Sequence, residues 1–122
     1  MFVILADDQF DVRCALRLLL EQEADLELVS EAVNTFELLS QLSTACPDLV
    51  LLDWELPGLP VLELLASVQR ICPDTRIIAL SGRPEACEQA AQAGVPGFVS
   101  KGDPPERLLT VVRRVLRASN RS

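Results

Sequence analysis

Residues 48–59 read DLVLLDWELPGL, and this stretch decides the fold. The apolar run Leu49–Leu52 ends abruptly in an acid, Asp53, and Pro57-Gly58 then breaks the chain. A continuous apolar run bounded by turn residues fits a strand buried on both faces of a parallel sheet. Asp53 then stands at the carboxyl end of a central strand, the edge where open α/β sheets bind ligands. It is the first candidate functional residue.

The flanking segments repeat this design. Phe2–Ala6 is a second apolar run of strand length and ends in Asp7-Asp8. Helical spacing of Val12, Ala15, Leu16, Leu19 and Leu20 predicts a helix over about 9–22. Leu26–Ala32 reads as a strand. Asn34 followed by Glu37 forms a capping-box pattern, and Phe36, Leu39 and Leu42 are the expected inner stripe of the next helix. Pro60 suits the start of a helix whose buried face is Val61, Leu64, Leu65, Val68 and Ile71. Arg76–Leu80 is the fourth strand and ends in Ser81-Gly82. An alanine-rich helix over about 84–93 follows, closed by Gly94, with Ala86, Ala90 and Ala93 inward. Alanine buries little surface, so this helix is expected to be formed but lightly held. Gly97–Ser100 is the fifth strand and leads into Lys101. Asp103 is the expected cap of the last helix, with Leu108, Val111, Val112 and Val115 inward. Residues 1–118 form one α/β domain, a doubly wound parallel sheet of βα repeats, and 119–122 read as a frayed tail or linker start.

Composition narrows the function. The chain has 122 residues, with 18 acidic and 11 basic side chains and a net charge of −7. Such a balance argues against direct nucleic-acid contact, which needs a basic surface. No apolar stretch reaches the roughly 20 residues that span a bilayer, and no signal peptide is visible. A cytoplasmic location is therefore expected. Cys14, Cys46, Cys72 and Cys87 form no CxxC pair, and there is no histidine. Free thiols in a reducing cytosol are the expectation. The Cys-Pro-Asp tripeptide at 46–48 returns at 72–74, in both places between a helix and a strand. A chain without histidine has no Ser-His-Asp triad.

Because the strands are parallel, Asp7-Asp8, Asp53, Ser81 and Lys101 all fall at one sheet edge. Singly, each has a plain structural reading: helix cap, turn residue or solvated charge. Together they place three carboxylates, a hydroxyl and an ammonium in one spot. Clustered carboxylates repel and raise one another's pKa. Mg²⁺, a hard cation suited to oxygen ligands, would offset that repulsion. The site suits a dianionic oxygen group, and a carboxylate can act as a nucleophile toward phosphorus.

With these marks in place, the chain resembles the receiver domains of two-component response regulators, the CheY-like family, over about residues 2–117. The resemblance rests on Asp7-Asp8, Asp53, Pro57-Gly58, Ser81 and Lys101 at their joint spacing. It implies a (βα)5 flavodoxin-like sheet with strand order 2-1-3-4-5. Asp53 is then the phosphoacceptor. Asp8, Asp53 and the Glu55 backbone carbonyl hold Mg²⁺ directly, and Asp7 holds it through water. Ser81 and Lys101 bond the phosphoryl group, and Phe98 is the aromatic switch that moves with Ser81. The implied donor is a phosphohistidine on a sensor histidine kinase. Catalysis by the chain itself is limited to phosphotransfer and slow autodephosphorylation. The output is a partner protein or an attached domain, and a homodimer is a further possibility that the resemblance carries.

Two features depart from the family pattern. Gly102 stands where proline commonly follows the lysine, as in the NarL/LuxR-type receivers, which carry a C-terminal helix-turn-helix domain. The 101–102 peptide is therefore predicted to be trans. Glu55, two residues past the acceptor, puts an acid on the phosphoryl entry path. Three other readings compete. One is a phosphorylation-independent interaction module of the same fold, which the intact acid–Ser–Lys set disfavours. Another is an aspartate-nucleophile phosphatase, for which the chain shows no cap or substrate pocket. The last is a flavin protein, whose phosphate Asp7-Asp8 would repel.

Overall fold

The computed structural model describes residues 1–119. The elements run β1 (Phe2–Ala6), α1 (Phe10–Glu21), β2 (Glu27–Ala32), α2 (Thr35–Thr44), β3 (Leu49–Asp53), α3 (Val61–Ile71), β4 (Arg76–Ser81), α4 (Glu85–Gln92), β5 (Gly97–Ser100) and α5 (Pro105–Ser119). The strands form one parallel sheet in the order β2-β1-β3-β4-β5. Apart from Ser119, which ends α5, the tail expected over 119–122 lies outside the described residues.

The apolar runs become central strands because both faces of the sheet are covered. Alternate side chains point to opposite faces. Val3, Leu5, Leu49, Leu51, Ile78 and Val99 pack under α1 and α5, with Leu20, Leu108, Val111, Val112 and Val115. Ile4, Ala6, Val50 and Leu52 pack under α2 and α3, with Leu38, Leu42, Leu64 and Val68. All five residues of β3 are buried, including Asp53. Gly97 lets α5 approach β5 closely, since a Cβ there would lie 2.9 Å from methyl groups of both Val111 and Val115.

Local expectations hold at several element ends. Asn34 Oδ1 accepts from Glu37 N at 2.8 Å, and Glu37 Oε1 accepts from Val33 N at 3.0 Å. Gly94 takes a positive φ of 83° just past α4. No described peptide bond is cis, so the 101–102 bond is trans as expected.

Four expectations need correction. On α2, Leu42 is buried and Leu39 packs partly buried against the core as expected, but Phe36 is 62% exposed, and Thr35 and Leu38 are buried as well. The cause is a tertiary hydrogen bond, because Thr35 Oγ1 accepts from Leu59 N at 2.8 Å and draws that face inward. Ala93 is exposed, since α4 ends at Gln92 before it could turn inward. Asp103 does not cap α5. Its carboxylate accepts from Ser100 N at 3.0 Å and closes the turn between β5 and α5.

The fourth correction concerns the thiols. Cys46 and Cys72 form a disulfide, while Cys14 and Cys87 are free. The repeated Cys-Pro-Asp places one cysteine after α2 and the other at the C-cap of α3. The two helices pack side by side, which brings the Cα atoms to 5.6 Å, within disulfide reach. Residues 26 apart in sequence give no sign of that distance.

Alanine-rich α4 is held by more than its own side chains. Ala86 and Ala90 are buried against Trp54 and Ala79, and Phe98 packs partly buried against the same cluster. Trp54 Nε1 donates to Gln89 Oε1 at 3.1 Å. The small alanines let the indole approach, and the indole supplies the apolar area that they lack.

Candidate functional site

The order β2-β1-β3 puts the point where chain direction reverses between β1 and β3, the place where such sheets open a crevice. Asp7 and Asp8 follow β1, Asp53 ends β3, Ser81 ends β4 and Lys101 follows β5. Register keeps them level: Asp53 pairs with Leu80, and Ser81 pairs with Ser100.

Three carboxylates converge. One oxygen from each of Asp7, Asp8 and Asp53 lies within 4.8 Å of the others. Asp7 and Asp53 are buried and Asp8 is exposed. Asp7 Oδ1 accepts from Gln9 N at 2.8 Å. Asp7 Oδ2 is buried without an aligned hydrogen bond, and its close contact is Lys101 Nζ at 2.8 Å. Lys101 Nζ also lies 3.5 Å from Asp53 Oδ1 and donates to Gln9 Oε1 at 2.9 Å. Asp53 Oδ1 accepts from Glu55 N at 3.0 Å.

The electrostatics follow from burial. Burial pushes the Asp53 carboxyl up to about 6 from an ordinary 3.8. The Asp7 and Glu55 charges push the same way, against the Glu55 N–H and Lys101. Burial would lower the Lys101 ammonium, but Asp7 and Asp53 outweigh it and hold Lys101 above its usual value. At neutral pH Asp53 is mostly ionised, and a single ammonium faces two buried carboxylates. The oxygen-only donor set of Asp7, Asp8 and Asp53 fits a small hard cation such as Mg²⁺.

Asp7, Asp8, Asp53, Glu55, Ser81 and Lys101 all reach this edge. Phe98 lies one layer behind it, packed with Trp54. Ser81 is fully buried, and its hydroxyl is held by the Glu55 side chain rather than by Asp53. Three participants were missed in the sequence: Gln9, Arg83 and Gln89. Gln9 follows the acid pair directly. Arg83 stands two residues past Ser81 as Glu55 stands two past Asp53, with opposite charge, which was a legible signal.

A family model described as "Response regulator receiver domain" matches residues 3–113. Response regulator UvrY of Escherichia coli K12 is 32% identical over 115 residues, covering 93% of this chain and 53% of the relative. Transcriptional activator protein ExaE of Pseudomonas putida is 35% identical over 118 residues, covering 95% and 55%. The chain thus spans about half the length of these curated relatives. Among solved structures, a LuxR-family two-component response regulator from Aurantimonas superposes with a TM-score of 0.87 at 26% identity, covering 96% of this chain and 85% of that one. RcsB of Salmonella, solved on promoter rprA with the phosphomimetic BeF3⁻, gives 0.86 at 25% identity, covering 94% and 67%.

Proposed function

The chain belongs to the response regulator receiver domain family, and we propose that Asp53 is its phosphoacceptor, charged by a phosphohistidine on a sensor histidine kinase. The observation that carries this reading is the buried Asp53 carboxylate flanked by Asp7, Asp8 and Lys101 at one sheet edge. Asp53 Oδ1 is engaged by Glu55 N–H, so Oδ2 is the attacking oxygen. An O–P bond forms there as the P–N bond of the donor breaks, and its electron pair stays on the imidazole nitrogen.

Lys101 neutralises part of the charge that gathers on the phosphoryl oxygens. Asp8, Asp53 and the Glu55 backbone carbonyl would hold Mg²⁺, with Asp7 reaching it through water. Once bound, Mg²⁺ supplies charge neutralisation at the phosphoryl oxygens. The phosphoryl group adds nearly two negative charges and three acceptor oxygens. Ser81 turns to bond one of them, and Phe98 follows into the space behind, altering the face formed by α4 and β5. That face controls a partner or an attached output domain, with transcription as the process that the relatives' names suggest. Among the described residues no helix is long and apolar enough to cross a membrane.

Incubation with a small phosphodonor and Mg²⁺, followed by intact mass, tests the reading. One added phosphoryl group is expected, absent in Asp53→Asn. Asp8→Ala should lose the Mg²⁺ response of Trp54 fluorescence, since the indole adjoins Asp53. An unmodified wild-type mass would favour the phosphorylation-independent interaction module.

A further inference from the structure

Glu55 and Arg83 meet on the one hydroxyl at the site. Ser81 Oγ lies 2.9 Å from Glu55 Oε1 and 3.0 Å from Oε2. Arg83 N donates to the same Oγ at 3.0 Å. Arg83 Nε in turn donates to Glu55 Oε2 at 3.2 Å, and its Nη1 lies 3.6 Å from Glu85. A hydroxyl has one proton to give. Arg83 N–H occupies an acceptor position, so the proton points to Glu55. Ser81 is fully buried, and among the described residues Glu55 is the only acceptor for that proton. A buried hydroxyl deprived of its acceptor is costly, so Ser81 keeps this direction until another acceptor arrives.

We infer that Glu55, steadied by Arg83, is a positioning residue that latches the Ser81 hydroxyl away from Asp53, so that a phosphoryl group must displace a carboxylate to recruit it. The inference rests on the reading of Asp53 as phosphoacceptor and adds a threshold to it. An interaction made only in the resting state shifts the equilibrium toward that state. The latch can also open. The Glu55 and Arg83 side chains are 39% and 49% exposed, so both can swing into water together when charge builds on Asp53. As a surface ion pair alone, Glu55–Arg83 would contribute little. Its effect comes through the buried proton that it orients.

A double-mutant cycle on the full chain tests this. Beryllofluoride, with Mg²⁺ present, is titrated into wild type, Glu55→Ala, Ser81→Ala and the double variant, read by Trp54 fluorescence. Glu55→Ala should bind the mimic about five- to tenfold more tightly, the range set by one charge-assisted hydrogen bond at a partly exposed site. Glu55→Gln keeps an acceptor oxygen but loses the Arg83 ion pair, and should fall between wild type and Glu55→Ala. Arg83→Ala should give a smaller gain in the same direction. In the Ser81→Ala background, most of the Glu55→Ala gain should vanish. An undiminished gain there would overturn the latch, because Glu55 would then act only as a charge at the entrance. Equal affinities for wild type and Glu55→Ala would overturn it too. Both results leave the phosphoacceptor reading standing if wild type gains one phosphoryl mass. A wild type that neither binds the mimic nor gains mass would remove both.

Discussion

The two edges of the sheet are built to opposite ends. At the amino edge, polar groups are tied to one another across the strands. Phe2 N donates to Asp48 Oδ2 at 2.7 Å, Asp48 N to Phe2 O at 2.9 Å, and Arg76 N to Asp48 O at 3.0 Å. Thr75 Oγ1 donates to Pro47 O at 2.7 Å, and the Cys46–Cys72 disulfide joins the ends of α2 and α3 beside them. At the carboxyl edge, two buried carboxylates share one ammonium, and a buried hydroxyl depends on a half-exposed acid. The first arrangement has nothing to gain by moving. The second has charges that a cation or a phosphoryl group would rearrange. Rigidity at one end thus gives the other a fixed frame against which a few side chains can switch.

The largest expected effect breaks the rigid edge. Replacing Cys46 and Cys72 by serine removes a cross-link spanning 26 residues and should cost about 3 kcal/mol in urea unfolding. Beryllofluoride affinity should stay within about twofold of wild type, because the disulfide lies at the opposite ends of the strands from Asp53. A larger shift in affinity would mean that the amino edge takes part in the switch.

Next in size is the carboxyl edge. The Asp53 carboxyl titrates near 6 when folded and near 3.8 when ordinary, so ionising it opposes folding. That penalty is absent below about pH 4 and complete above about pH 6. Asp53→Asn should therefore be more stable than wild type by about 2 kcal/mol at pH 7, with the gain shrinking as pH falls through the window between those values. Millimolar Mg²⁺ should reduce the difference by stabilising wild type. A variant no more stable than wild type at pH 7 would mean that Lys101 already compensates the burial in full.

The smallest effect concerns the joint between the site and α4. Gln89→Ala leaves the buried Trp54 N–H without its acceptor and should cost about 1 kcal/mol, with a shift in Trp54 emission. Hydrogen exchange on adding beryllofluoride should change across residues 82–101 in wild type and change more in this variant. Equal exchange in the two would show that the indole bond does not restrain the helix.

Much of the site was legible because parallel strands are buried on both faces. Each shows as an unbroken apolar run whose end is marked by the first polar residue, and parallel pairing sends all those ends to one edge. Asp7, Asp53 and Ser81 could be placed together on that ground alone. Phe36 and Asp103 were misplaced because a tertiary or turn hydrogen bond outweighed local periodicity and capping preference. The lightly held reading of α4 missed its support, since Trp54 comes from another element 35 residues from Gln89.

By itself, then, the sequence determined that Asp7, Asp8, Asp53, Ser81 and Lys101 sit at the carboxyl edge, since burial and chain direction are properties of short segments. Only the tertiary structure decided who bonds whom there and across the fold. Cys46 finds Cys72, and Glu55 rather than Asp53 accepts the hydrogen bond of the Ser81 hydroxyl. Those choices depend on distances between elements far apart in the chain, and such distances come from packing rather than from local pattern.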